Sequence, residues 1–349
     1  MLNQERELLY RSLEERIGKT PLVKHSELPN GNRLWLKLEC DSKVSGSHYD
    51  RVYSDLFRHL EDEGKISPGQ NVFETTTGNA GIAFAAIGKL LDYTCHVAIP
   101  YGAEEARVRL LEQQGAIIYR TPEDTYVNGL RDFARDFMKQ HRGYFMLNHS
   151  MSTYGKPNTT TLDALAMIAE ETLVQGWWPE GMVPDFFIPA VGNGSSVLGP
   201  GRSFRSYLGN GIKVIAFEHF QSAVAYDMLY PGNYEQTFGI KPGTLPRHRL
   251  SGTSLQTGFE FPHIRAAIDE RIIDDVVLVS DKEADNHYRQ LTGKSTHNIL
   301  PRWDDEIVAD NDFGRSTRAG IGVALSLAEK VNNKNMLVIA YDRAERYDR

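Results

Sequence analysis

The sequence predicts an α/β fold built on largely parallel sheets, and three observations carry that prediction. Short β-rich runs alternate with helix-length runs over most of the 349 residues. Such alternation implies crossover connections and parallel strands. Two of the β-rich runs, "NVFETT" and "DFFIPAVG", lead through glycine-rich turns straight into helical runs. In sheets of this kind ligands bind beyond the carboxyl ends of the strands, so these two turns are the places to look for a site. The hydrophobic content of 41% and charged content of 24% are ordinary for a globular chain with a large core.

The elements follow in order. "MLNQERELLYRSLEERIG" is charged and helical in pattern and lacks the apolar core of a signal peptide. "LWLKLEC" reads as a strand, and a helix is expected from near Val52. "NVFETT" is a strand, and "IAFAAIGKLLD" a helix entered through Gly78-Asn79-Ala80-Gly81. "YTCHVAIP" is a strand that Pro100 ends. "EEARVRLLEQQG" is a helix with acidic residues in its first turn and Gly115 just past its end. "AIIYRT" is a strand, "LDALAMIAEETLVQGW" a helix, "DFFIPAVG" a buried strand and "KVIAFEHF" another strand. "GIGVALSLAEKV" is a helix and "NMLVIAYD" the last strand. Residues 291–313 are polar and poorly periodic; a surface insertion is the favoured reading, ahead of a lid or a partner contact.

The formal net charge of −7 argues against nucleic-acid and anionic-membrane partners. No stretch reaches the roughly 18 apolar residues of a membrane helix, and a cytoplasmic protein is expected. Cys40 and Cys95 lie in apolar strand-like contexts and read as buried free thiols. The histidines, among them His48, His149, His219 and His263, have no ligand spacing, so no metal is expected. His149 is the histidine to test as cleft-lining.

The two turns offer different chemistry. In "GNGSS", Gly192 and Gly194 allow a tight turn and close backbone approach. Amides at the following helix start, with Asn193, Ser195 and Ser196, suit a small phosphate, although a plain strand-to-helix turn would look similar. In "TTTGNAG", hydroxyls and amides at a helix start suit a carboxylate. Helix capping explains one of its threonines but not three.

Together these stretches resemble the pyridoxal-phosphate enzymes of fold type II, the tryptophan synthase β-like family, nearest to its cysteine synthase and cystathionine β-synthase branch. "IGKTPLVK" resembles "IGNTPLV", and "LKLEC" with "SGSHYDR" resembles "KLE…GSxKDR". "ETTTGNAGIAFA" resembles "EATSGNTGIALA", and "IPAVGNGSS" resembles a "GTGGT" phosphate cradle. "SGTSLQTGFEFP", "GRSTRAGIGVAL" and "AYDRAERY" resemble "GIGAGFVP", "GxSSGAAxAA" and "PSxGERY", all in family order. The resemblance implies a two-lobed, three-layer α/β/α fold. Residues 1–40 and 151–349 would form a large cofactor-binding lobe and 41–150 a small substrate-loop lobe. It implies pyridoxal 5'-phosphate as cofactor, a small amino-acid substrate and a homodimer. Gly192, Asn193, Gly194, Ser195 and Ser196 would hold the phosphate. Thr76, Thr77, Gly78 and Asn79, with Ser47, would hold the substrate. Asn79 would also bond the cofactor's phenolic oxygen, and Asp342 would face its ring nitrogen.

One departure matters. The family's Schiff-base lysine lies between "GS" and "DR", and here Tyr49 takes its place, preceded by His48. A tyrosine forms no imine, and with an ordinary pKa of about 10 it is a poor base. His48 has the better pKa, but the family pattern turns it away from the cofactor. Lys43, upstream in the same loop, is either a relocated imine lysine or, the favoured reading, an exposed loop residue. Asp342 either serves the ring nitrogen or pairs with a neighbour such as Arg343 or Arg346. Three functions stay open: a cofactor enzyme performing β-elimination or β-replacement with altered proton transfer; an inactive paralogue that binds a ligand or partner; and an enzyme using both pockets for another anionic ligand without pyridoxal phosphate.

Overall fold

The computed structural model describes residues 3–123, 125–152, 155–177, 181–245, 248–253, 261–308 and 312–348. Residues 254–260 of "SGTSLQTGFEFP" and 309–311 of the 291–313 segment lie outside them. The described residues form ten strands: β1 (Leu22–Glu27), β2 (Arg33–Lys37), β3 (Asn71–Thr75), β4 (Thr94–Ile99) and β5 (Ile117–Arg120); then β6 (Phe145–Met146), β7 (Phe186–Ile188), β8 (Lys213–His219), β9 (Asp275–Val279) and β10 (Asn335–Ile339). The chain divides into two compact units. The first comprises residues 1–20, 39–165 and 342–349, the second residues 21–38 and 166–341.

The first unit carries an all-parallel sheet in the order β5-β4-β3-β6. Strand alternation sends successive side chains to opposite faces, and helices cover both. Phe73 stacks on Phe137 of the helix Gly129–Gln140, with Ala98 in the same cluster. On the other face, Cys95 and Val97 meet the helix Asn79–Leu90 through its small residues. A Cβ at Gly88 would overlap the Cys95 sulfur and lie 3.2 Å from Phe57 Cζ, so glycine sets that helix–sheet approach. Val52, Tyr53, Leu56, Phe57 and Leu60 recur every three or four residues along the helix Tyr49–Asp62 and are all buried. Both cysteines are buried and free, as expected.

The second unit carries a six-stranded sheet in the order β1-β2-β10-β7-β8-β9. Only β1 and β2 pair antiparallel; the remaining pairs are parallel. Phe187 on β7 packs its ring 5.1 Å from Phe204 of the helix Ser195–Leu208. A Cβ at Gly320 of the helix Arg315–Ala328 would come within 2.8 Å of Val338 and 3.2 Å of Phe217, so this helix lies directly on β10 and β8. Lys37, fully buried on β2, is compensated by Glu171 at 2.8 Å and Gln175 at 3.1 Å. The α/β fold with mostly parallel sheets is the one the sequence predicts. The reading of alternating runs passed over β1, β9 and the two-residue β6. β9, "DVVLV", carries a β-branched signal that was there to be read.

Candidate functional site

In the second unit, "GNGSS" joins β7 to the helix Ser195–Leu208. Gly194 sits at the N-cap in the left-handed region, with φ 93°. A Cβ there would lie 2.7 Å from the Ile264 amide nitrogen and 3.0 Å from the His263 carbonyl carbon. A Cβ at Gly192 would lie 2.9 Å from the Gly252 carbonyl oxygen. Both glycines are therefore demanded by backbone next to them, and Gly194 by the turn as well. Asn193 Oδ1 accepts the Ser195 amide at 2.9 Å. Ser195 is wholly buried, and its hydroxyl has no partner among the described residues. A helix start with a buried, unsatisfied hydroxyl and no side-chain cap suits a small anion bearing several acceptor oxygens.

In the first unit, "TTTGNAG" runs from β3 into the helix Asn79–Leu90. The Thr76 hydroxyl accepts the amides of Gly78 at 2.9 Å and Gly81 at 3.1 Å, so its side chain closes the turn. The Thr77 carbonyl accepts from Arg107 Nη1 at 3.2 Å, and a Cβ at Gly78 would come within 2.5 Å of that guanidinium. Asn79 is engaged at both ends of its amide. It donates to Asp342 Oδ2 at 2.7 Å and accepts from Arg346 Nη1 at 2.8 Å.

Asp342 is fully buried. Its Oδ2 also accepts from Tyr347 Oη at 2.8 Å and lies 3.5 Å from Arg107 Nη2. Oδ1 has no partner among the described residues. The arginine that meets Asp342 is thus Arg107, remote in sequence. Arg343 pairs with Asp41, and Arg346 reaches Asn79 and the Ser45 carbonyl. Arg107 had no signal in the sequence that tied it to this group.

The "SGSHYDR" loop is held by its last two residues. Asp50 Oδ2 accepts from Ser42 Oγ at 2.5 Å and from the amides of Ser45 and Val44 at 2.9 and 3.3 Å. Arg51 forms a two-pronged pair with buried Glu39, both bonds 2.9 Å, and the Thr20 hydroxyl donates to the same carboxylate at 2.6 Å. Ser47 is buried, with its hydroxyl 3.2 Å from that of Ser45. Lys43 is exposed, and its backbone amide donates to the Arg16 carbonyl. His48 is buried, and desolvation pulls its pKa down to about 4. It is therefore neutral over the physiological range.

Tyr49 opens the helix Tyr49–Asp62 and is partly exposed. Its ring lies 4.2 Å from that of His48 and 5.3 Å, edge to face, from that of His149. Desolvation, and behind it the carboxylate of Glu74, push its phenol above the ordinary value. One turn on, Tyr53 donates to Glu74 Oε2 at 3.1 Å and sits 2.9 Å from His149 Nδ1. The sequence reading named His149 but missed Tyr53 and Glu74. A carboxylate inside the apolar run "NVFETT", and a tyrosine four residues after Tyr49, were the available signals. Among the described residues no cluster of metal-ligating side chains occurs, and no helix is long and apolar enough to cross a membrane.

A family model described as "Pyridoxal-phosphate dependent enzyme" matches residues 13–300. Over 334 residues the chain is 28% identical to cysteine synthase A of Escherichia coli (strain K12), covering 95% of this chain and 91% of that one. Among solved structures it is similar to a hydrogen sulfide-producing enzyme from Fusobacterium nucleatum. The TM-score is 0.74 at 24% identity, over 96% of this chain and 99% of that one. It is also similar to O-ureido-L-serine synthase, with a TM-score of 0.71 at 21% identity, over 96% of this chain and 92% of that one. These structural likenesses establish the fold.

Proposed function

The chain belongs to the pyridoxal-phosphate-dependent enzyme family, and from that premise we propose that it acts on an amino acid by β-elimination or β-replacement without the family's lysine, whose place Tyr49 takes. The observation that carries this reading is the "GNGSS" cradle. Gly194 is held at a φ and a packing distance that favour glycine, beside a buried hydroxyl that lacks a partner among the described residues. Those features fit the phosphate of pyridoxal 5'-phosphate, with Gly192, Asn193, Gly194, Ser195 and Ser196 around it. When bound, the cofactor supplies an electron sink for the substrate's α-carbon.

The chain's own residues do the rest. The Asn79 backbone amide at the helix start, with Thr77 beside it, offers donors to a substrate carboxylate, while the Thr76 hydroxyl, accepting the Gly78 and Gly81 amides, shapes the turn that presents them. Asp342 Oδ1, buried and without a partner among the described residues, offers the acceptor for a protonated ring nitrogen. The exposed position of Lys43 favours lysine-free binding over a relocated imine. The active form is read as a homodimer, and a monomer mass by light scattering would remove that part.

The test is uptake. Purified chain is mixed with pyridoxal phosphate, dialysed, and its absorbance recorded; a second sample is treated with borohydride before peptide mapping. Retained cofactor with no modified lysine is the expected result. A cofactor-free chain overturns the reading, and a peptide modified at Lys43 replaces it with the relocated imine.

A further inference from the structure

Glu74 is 1% exposed, on a strand whose neighbours are apolar. A carboxylate so placed needs donors around it, and it has four. Oε1 accepts the Thr75 amide at 2.8 Å. Oε2 accepts from Tyr53 Oη at 3.1 Å, from the His149 amide at 3.2 Å and from His149 Nδ1 at 3.2 Å. With Glu74 Oε2 and Tyr53 Oη both facing Nδ1, the geometry favours the tautomer that carries the ring proton there. Among the described residues no hydrogen bond of His149 uses Nε2, which in that tautomer is the nitrogen with a free lone pair. The ring that bears it stands edge-on to Tyr49, with centroids 5.3 Å apart at 85°. A strut between β3 and the 147–150 segment would need only the backbone bonds already present, from the His149 amide to Glu74 and from the Leu147 amide to the Phe73 carbonyl. The imidazole, with one nitrogen fixed by a carboxylate and the other unused, is the arrangement of an oriented base.

We infer that His149, oriented by Glu74 and Tyr53, moves the substrate's proton in place of the missing lysine. The inference rests on the functional reading above. The Cα–H bond of the amino acid breaks, the proton passes to His149 Nε2, and the electron pair stays with the substrate, drawn into the cofactor's electron sink. The same nitrogen later returns a proton. Glu74 and Tyr53 are positioning residues: they fix the tautomer and stabilise the imidazolium.

Two measurements test this. The first uses the chain as purified, with imidazole nitrogen NMR. His149 should be protonated on Nδ1 in the wild type and should lose that preference in Glu74→Gln. A wild-type ring protonated on Nε2 overturns the inference without touching the functional reading. The second uses chain loaded with pyridoxal phosphate in heavy water, with L-serine or L-alanine as probe, and follows loss of the α-proton signal. His149→Gln should slow exchange at least about 100-fold, the lower end of general-base catalysis, with cofactor retention and unfolding temperature unchanged. Glu74→Gln should slow it less. Exchange that survives in His149→Gln overturns the inference alone, as does a loaded wild type that exchanges neither probe. A wild type that retains no cofactor overturns the functional reading, and the proton-transfer role falls with it.

Discussion

Replacing Gly194 by alanine separates the demands of the turn from those of the ligand. A non-glycine residue in the left-handed region costs about 1–2 kcal/mol. At Gly194 the new Cβ also meets backbone, 2.7 Å from the Ile264 amide and 3.0 Å from the His263 carbonyl carbon. Backbone cannot swing away as a flexible side-chain tip does, and overpacking of this kind adds about 1–3 kcal/mol. The expected destabilisation is therefore about 2–5 kcal/mol. Gly293 is the control: it has φ 72° at the end of the helix Lys282–Thr292, and its Cβ would meet nothing within 4 Å. Gly293→Ala should cost only the conformational part, about 1–2 kcal/mol. Denaturant unfolding measures both variants, and equilibrium dialysis measures pyridoxal phosphate on each. Gly194→Ala should lose cofactor while Gly293→Ala keeps it. Equal destabilisation would show that the neighbouring backbone yields freely, and unchanged cofactor affinity in Gly194→Ala would show that the phosphate binds elsewhere.

Three further outcomes follow from the same contacts. Tyr49→Lys should give loaded protein a new absorbance band that borohydride fixes to residue 49; a wild-type spectrum would remove that side chain from the cofactor's aldehyde. Arg51→Ala removes the two-pronged guanidinium partner of the buried Glu39 carboxylate, at a cost of about 3–5 kcal/mol in denaturant unfolding; a shift below about 1 kcal/mol would mean water reaches Glu39. Burial raises the Glu218 pKa to about 8, against the opposing amides of Tyr226, Ala225 and Val224. The folded state then holds that proton more tightly than the unfolded chain, so this group's stabilisation is full below pH 4.5 and is lost as pH rises through about 8. His48 slopes the other way between about 4 and 6.5, so the wild-type-minus-Glu218→Gln difference isolates Glu218, and a flat difference refutes its raised pKa.

What the sequence disclosed depended on range. The "GNGSS" turn was legible because glycine spacing, a preceding apolar run and a following helix are all local. Thr76 behaved as the capping threonine that local chemistry allows. The partners of Asp342 were not legible, since Arg107 and Asn79 reach it across 235 and 263 positions and only the fold brings them together. Arg343 and Arg346 were nearer in sequence, yet Arg343 is drawn to Asp41 and Arg346 to Asn79. The carboxylate in "NVFETT" was visible as an anomaly, but its partners, Tyr53 and His149, lie 21 and 75 positions away.

The large sheet has its second strand beside its last: Arg33 pairs with Asn335, and Trp35 shares a hydrogen bond with Asn335 across 300 positions. During synthesis, β2 must therefore wait with one edge bare until almost the whole polypeptide has left the ribosome. Such late closure makes for slow folding and a prolonged opportunity for self-association. It also means that a clone shortened before residue 335 would leave that edge uncovered, a recipe for inclusion bodies.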